Sequence, residues 1–170
     1  MHNFWVRVNS VVFFALTVLF AMASMAAIST YLHKGTPDVR SLRLNTLLSL
    51  RNHAGADRAV LNFDLDADMR PAFHWNLKQL FVFVVAEYES KKIPLNQVVI
   101  WDTIIESKDQ AHVHFKNLST KYALVDNGSD LRNRTIHLKL KWDHMPYTGR
   151  MYYGEAGGSS FTLPHKYVVH

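Results

Sequence analysis

Asp64, Asp66 and Asp68 occupy alternate positions in this 170-residue chain. In a strand, residues i, i+2 and i+4 project from one face, so the three carboxylates could together ligate calcium. The glycine and terminal glutamate of a calcium loop are missing, and the row is read instead as the solvated face of a strand. His112 and His114 also share one strand face and could offer a metal two ligands. With no third ligand nearby in sequence, they are read as exposed polar positions. The chain has no cysteine, which removes disulfides, thiolate nucleophiles and Cys-containing zinc sites. No metal or cofactor site is expected.

Covalent catalysis would need a serine held beside a base. There is no Gly-x-Ser-x-Gly elbow. The nearest approach is Gly157-Gly158-Ser159-Ser160, expected to be a flexible loop between two strands. No catalytic residue is assigned, and a hydrolase with a dispersed triad stands as a rival that turnover by the purified domain would establish. Modification chemistry is better marked. Asn117-Leu118-Ser119, Asn127-Gly128-Ser129 and Asn133-Arg134-Thr135 fit the N-glycosylation pattern, whereas this composition gives about one match by chance. Turn preference competes as an explanation, and Asn127-Gly128 reads as a hairpin turn whatever its side chain carries. One used sequon would put its domain in the lumen of the endoplasmic reticulum.

These positions need a frame. Residues Val8 to Leu32 contain no charge, and 25 residues make a helix of about 37 Å, enough to cross a bilayer. The stretch exceeds the apolar core of a cleaved signal peptide, despite the small-x-small runs at 21–23 and 24–26, so an uncleaved anchor is expected. Trp5 and Tyr31 flank it as interfacial aromatics. Arg7 precedes the span while Lys34, Arg40 and Arg43 follow it. That count alone would leave the C-terminal domain in the cytosol, against the sequons.

From residue 39 onward, alternation predicts strands. Leu42, Leu44, Thr46, Leu48 and Leu50 form one row, and Leu61, Phe63, Leu65, Ala67 and Met69 a second. Leu80–Ala86 is apolar on both parities and reads as a central strand covered on both faces. Strands are further expected over 98–105, 111–115, 122–125, 136–142 and from Phe161 onward, with a helical turn near Pro71–Leu77. An apolar share of 48% supports a packed core. The expected fold is mainly β: one transmembrane helix, then an antiparallel β-sandwich-like domain. Residues 1–10 would be a short cytosolic N-terminus, 11–32 the signal anchor, and 33–170 the luminal domain. The net charge of +5 is dispersed, with Lys91-Lys92 the longest basic cluster, so no nucleic-acid partner is expected.

The blocks WNLKQLFVFVVAEYE, PLNQVVIWDTII and STKYALVDNGSDLRNRTIHLKLKWDHMP, behind a single N-terminal anchor, resemble subunit 3 of the eukaryotic signal peptidase complex, its glycosylated accessory subunit. The resemblance runs over nearly the whole chain and is loosest over 145–170. It implies a single-pass type II protein of the endoplasmic reticulum membrane with a luminal β-sandwich-like domain. It also implies that this domain braces a separate catalytic subunit and meets other subunits of the complex. Asn133 falls where the family's glycan acceptor is expected, while Asn117 and Asn127 lack that support. Trp75 and Trp101 flank the Leu80–Ala86 strand and are the candidate interface anchors, with burial in the core as the competing reading. A generic membrane-anchored luminal module for glycoprotein cargo is the alternative function.

Overall fold

The computed structural model describes residues 3–33, 35–91 and 93–169; Lys34 and Lys92, counted among the flanking and clustered charges, lie outside them. Helix α1, Phe4–Thr30, buries none of its residues against the rest of the chain. Its 27 residues span about 40 Å, long and apolar enough to cross a membrane. It closes with three short-range bonds, from the N–H groups of Tyr31, Leu32 and His33 to carbonyls three residues back.

Strands β1 (Asp38–His53) and β2 (Ala56–Asp68) form a long hairpin, and η-type turns of three residues follow at Arg70–Ala72 and Lys108–Gln110. The remaining strands are β3 (Leu77–Tyr88), β4 (Asn96–Ile105), β5 (His112–Ser119), β6 (Leu124–Asp126), β7 (Thr135–Pro146), β8 (Tyr152–Thr162) and β9 (Val168–Val169). One sheet runs β5-β2-β1-β9, with β6 also paired to β2; the other runs β4-β3-β7-β8. Every described pairing is antiparallel.

The core lies between the sheets. Leu61, Phe63, Leu65 and Ala67 of β2 and Met69 just beyond it are fully buried, as their alternation predicts, and they meet Leu80, Val82, Val84 and Ala86 of β3 across the core. The row in β1 is less regular. Irregularities between Val39 and Ser41, Leu44 and Thr46, and Leu47 and Ser49 reset the parity. Leu42 and Leu50 are buried and Leu47 packs inward, while Thr46 is exposed. A bulge adds one unpaired residue, so every side chain beyond it changes face.

Two expectations about glycine are overturned. Gly157-Gly158-Ser159-Ser160 is not a loop but the middle of β8, with Gly157 opposite Lys139. Here β8 folds closely over β1, and a Cβ on Gly158 would stand 2.8 Å from Leu42 side-chain carbons; the glycine serves close approach, not flexibility. Asn127-Gly128 is a turn but not a hairpin, because β6 and β7 belong to different sheets. The Asp126 carboxylate makes the turn by accepting from the Gly128 and Asp130 N–H groups, each at 2.9 Å. The true two-residue hairpin is Ala54-Gly55, with φ of 51° and 84°.

Candidate docking face and membrane junction

Strand β3 is apolar on both parities, yet only one parity is used inside the sandwich. Phe81, Phe83, Val85 and Glu87 point to the outer face of the four-stranded sheet, where neighbouring side chains leave Phe81 and Phe83 half-buried and bury Val85 and Glu87. The expectation of two-sided burial holds at Val85 and is only partly met at Phe81 and Phe83. The register places Phe81 between Ile104 and Asp143, Phe83 between Asp102 and Lys141, and Val85 between Val99 and Lys139. Phe81 and Phe83 stack with ring centroids 5.2 Å apart, and Ile104 beside them is 52% exposed.

A charged block borders this apolar stripe. Glu87 is buried and accepts from Lys139 Nζ at 2.9 Å, Lys141 Nζ at 3.0 Å and Gln97 Nε2 at 2.6 Å. Both lysines also reach Glu155 on β8, at 3.8 and 3.4 Å. Partial burial pushes the Glu87 carboxyl up, but hydrogen bonds from Lys139 and Lys141 outweigh it and the net shift is downward. The carboxylate therefore stays ionised and clamps the lysines over its strand. An apolar stripe beside fixed charges suits recognition of a protein surface. It has no nucleophile paired with a base.

At the other end, the sandwich is fastened to α1. Buried Asn76 donates to Thr30 Oγ1 and to the Thr148 carbonyl, both at 2.9 Å, and accepts from the Thr148 N–H at 3.2 Å. His33 Nε2 lies 2.9 Å from the Pro71 carbonyl, and its ring packs on His74 at 4.7 Å. His74 contacts the Tyr152 hydroxyl at 3.2 Å. Tyr152 in turn stacks on His144 at 4.1 Å, with His144 Nδ1 placed 3.3 Å from the Tyr152 carbonyl. Burial brings His144 down to about 4, although that backbone contact opposes the shift. At neutral pH the ring is uncharged and donates from Nδ1. The cluster joins the helix end, the turn at Pro71 and strands β7 and β8.

The sequence candidates fall in different places. Trp101 is in the core, edge-on to Phe63 at 6.3 Å and Phe115 at 5.9 Å, with Lys121 Nζ 5.8 Å from its ring. It supports the docking face from beneath and offers no surface itself. Trp75 is 66% exposed, beside the junction. The aspartate row faces outward, with a separate partner at each carboxylate: Arg43 and Asn45 on Asp64, His112 and His114 on Asp66, Arg70 on Asp68. Among the described residues no group of three or more His, Asp or Glu side chains is arranged to hold a metal ion. Pairing of β5 with β2 sets both histidines over Asp66, a contact no local pattern could show.

All three sequon asparagines are exposed. Asn117 and Asn133 take left-handed backbone, with φ of 53° and 57°. Asn117 Oδ1 accepts from Asn62 at 3.0 Å, and the Asn117 N–H donates to Asp64 at 2.8 Å. Asn127 sits at the distal turn, where the Ser129 hydroxyl donates to the Gly55 carbonyl and accepts from Asn52 at 2.8 Å. Asn133 lies two residues before β7, its N–H held 3.4 Å from the Pro164 carbonyl. The apolar patch of Phe81, Phe83 and Ile104 was missed as a site by sequence reasoning, although the two-sided apolarity of β3 was its signal.

Fold and faces define a class: an antiparallel β-sandwich carried on one helix long enough to cross a membrane, with a partly exposed apolar stripe on one sheet face. The chain belongs to the signal peptidase subunit family, whose family model matches residues 1–166. Signal peptidase complex subunit 3 of Dictyostelium discoideum is 34% identical over 168 residues, covering 99% of this chain and 98% of that protein. The Drosophila melanogaster protein of the same name is 34% identical, with 99% and 98% covered. The Homo sapiens one is 35% identical over 150 residues, with 84% and 83% covered.

Proposed function

We propose that this chain is a non-catalytic accessory subunit of the endoplasmic reticulum signal peptidase complex, bracing the catalytic subunit while signal peptides are removed from nascent secretory proteins. One observation carries the bracing role. Strand β3 is apolar on both parities, yet on its outer face Phe81 and Phe83 stay half-exposed and Val99 and Ile104 beside them are exposed. The outer stripe of Phe81, Phe83, Val99 and Ile104 is where the catalytic subunit docks. Desolvating it drives association, and the Glu87–Lys139–Lys141 block sets orientation. A partner already folded and tethered at the same membrane lowers the ordering cost the catalytic domain would bear alone.

In this reading residues 1–10 are cytosolic, 11–32 are the anchor and 33–170 are luminal. Asn133 is the preferred glycan acceptor; Asn117 and Asn127 are weaker candidates, the first being already engaged by Asn62. Family membership and three exposed sequons support luminal placement against the flanking-charge count. The test is co-purification of Phe81→Asp/Phe83→Asp from mild detergent. Loss of the catalytic subunit, with folding retained to within about 1 kcal/mol per substitution, is the expected result. Full recovery of the catalytic subunit would refute the docking face. Digestion of the sandwich by protease added to sealed microsomes would refute the topology.

A further inference from the structure

The junction holds a second exposed surface that the docking face does not use. Arg7 has to stay outside the hydrocarbon, and the 20 residues from Val8 to Ala27 then span about 30 Å, the thickness of that layer. Ala27 therefore marks where the helix leaves it. The turn between β7 and β8 lies against this level: a Cβ on Gly149 would stand 3.1 Å from Ala27 Cβ. Asn76 ties the neighbouring Thr148 to Thr30, one helical turn further on. Around this contact stand Trp75, Tyr147, Met151 and Tyr153, each more than 60% exposed. A cleft of about 440 Å³ opens between helix end and turn, lined by Tyr31, His33, Arg150 and Met151 among others. Arg150 makes no ion pair among the described residues.

We propose that this surface is seated in the lipid headgroup layer of the leaflet from which α1 emerges. Trp75, Tyr147 and Tyr153 occupy the interface as amphipathic rings, Met151 reaches toward the acyl chains, and Arg150 meets lipid phosphate in the cleft. Lipid is the occupant because the surface is continuous with the last turn of the span and lies at the level where hydrocarbon ends. Four large apolar or aromatic side chains exposed together on a folded domain otherwise carry an unfavourable hydration cost. The seat would hold the sandwich at a set height and tilt, which a single helix with a free joint could not do.

The absence of cysteine makes the test direct. Trp75→Cys, Met151→Cys and the distal control Asn127→Cys are each spin-labelled in the full-length chain, reconstituted alone in phosphatidylcholine nanodiscs. Collision with oxygen, which concentrates in lipid, is compared with collision with an aqueous nickel chelate. The oxygen-to-nickel ratio at 75 and 151 should exceed that at 127 severalfold. A ratio at either position as low as at 127 overturns the proposal. Brominated lipid gives an independent reading in Trp5→Phe, where Trp101 and Trp142 are buried. Emission should be quenched, and the quenching lost on adding Trp75→Phe; quenching that is absent, or that survives Trp75→Phe, also overturns it. With the catalytic subunit omitted, either result leaves the docking test unaffected.

Discussion

Ala54 and His144 each sit where the fold asks something unusual of the residue. Ala54 occupies the left-handed region at φ 51° in the β1–β2 turn, where a Cβ costs about 1 kcal/mol and asparagine is better tolerated. Ala54→Asn should raise stability by about 0.5–1 kcal/mol, read as a higher denaturant midpoint with unchanged slope. His144 is buried neutral. Its folded form titrates near 4 against 6.5 for an ordinary histidine, so between those values the unfolded chain binds the proton first. Stability is thus complete above about pH 6.5 and is lost as pH falls toward 4, by up to about 3 kcal/mol from this one ring. His144→Phe keeps the stack on Tyr152 and should flatten the pH dependence of unfolding over that window; an unchanged slope would contradict the assignment. Neither residue announces itself in sequence, because backbone sign and burial belong to the folded chain.

At the scale of elements, β8 shows how a local pattern misleads. Four small residues in a row look like a loop because glycine is flexible in an unfolded chain. In the fold Gly158 lets β8 approach Leu42 of β1, and earlier in the strand a Cβ on Gly154 would stand 2.5 Å from the Trp142 ring. Gly154→Ala and Gly158→Val should each lose about 1–3 kcal/mol by overpacking, while Gly157→Ala, with open space at its Cβ, should cost far less. Thermal melts of the three variants separate close packing from loop flexibility; equal losses would argue for a general strand-propensity effect. The β2 row was legible because apolar and polar residues alternate without interruption from Leu61 to Asp68. The β1 row was only half legible, since its bulges answer to the partner strand rather than to its own sequence.

For the whole molecule, the critical feature is the joint between helix and sandwich. Asn76 is buried with its amide bonded on both sides, to Thr30 and Thr148. Asn76→Ala should destabilise by about 2 kcal/mol, since it strands buried polar partners. It should also broaden the distance between spin labels placed on α1 and on β2, as measured by pulsed electron resonance. An unchanged, narrow distribution would show that the joint is held by other contacts. Gly35 contributes as well, because any Cβ there would collide with the Pro71 carbonyl.

Sequence by itself determined the long apolar helix, the mainly β character, the inward row of β2 and the positions of the sequons. These depend on short-range periodicity and composition, which survive in the unfolded chain. Only tertiary structure decided that Trp101 faces inward while Trp75 faces out, that Phe81 and Phe83 stay half-exposed on the outer side of β3, and that residues 30, 76 and 148 meet. Such facts depend on which strands pair and which layers lie above them, through contacts between residues dozens of positions apart.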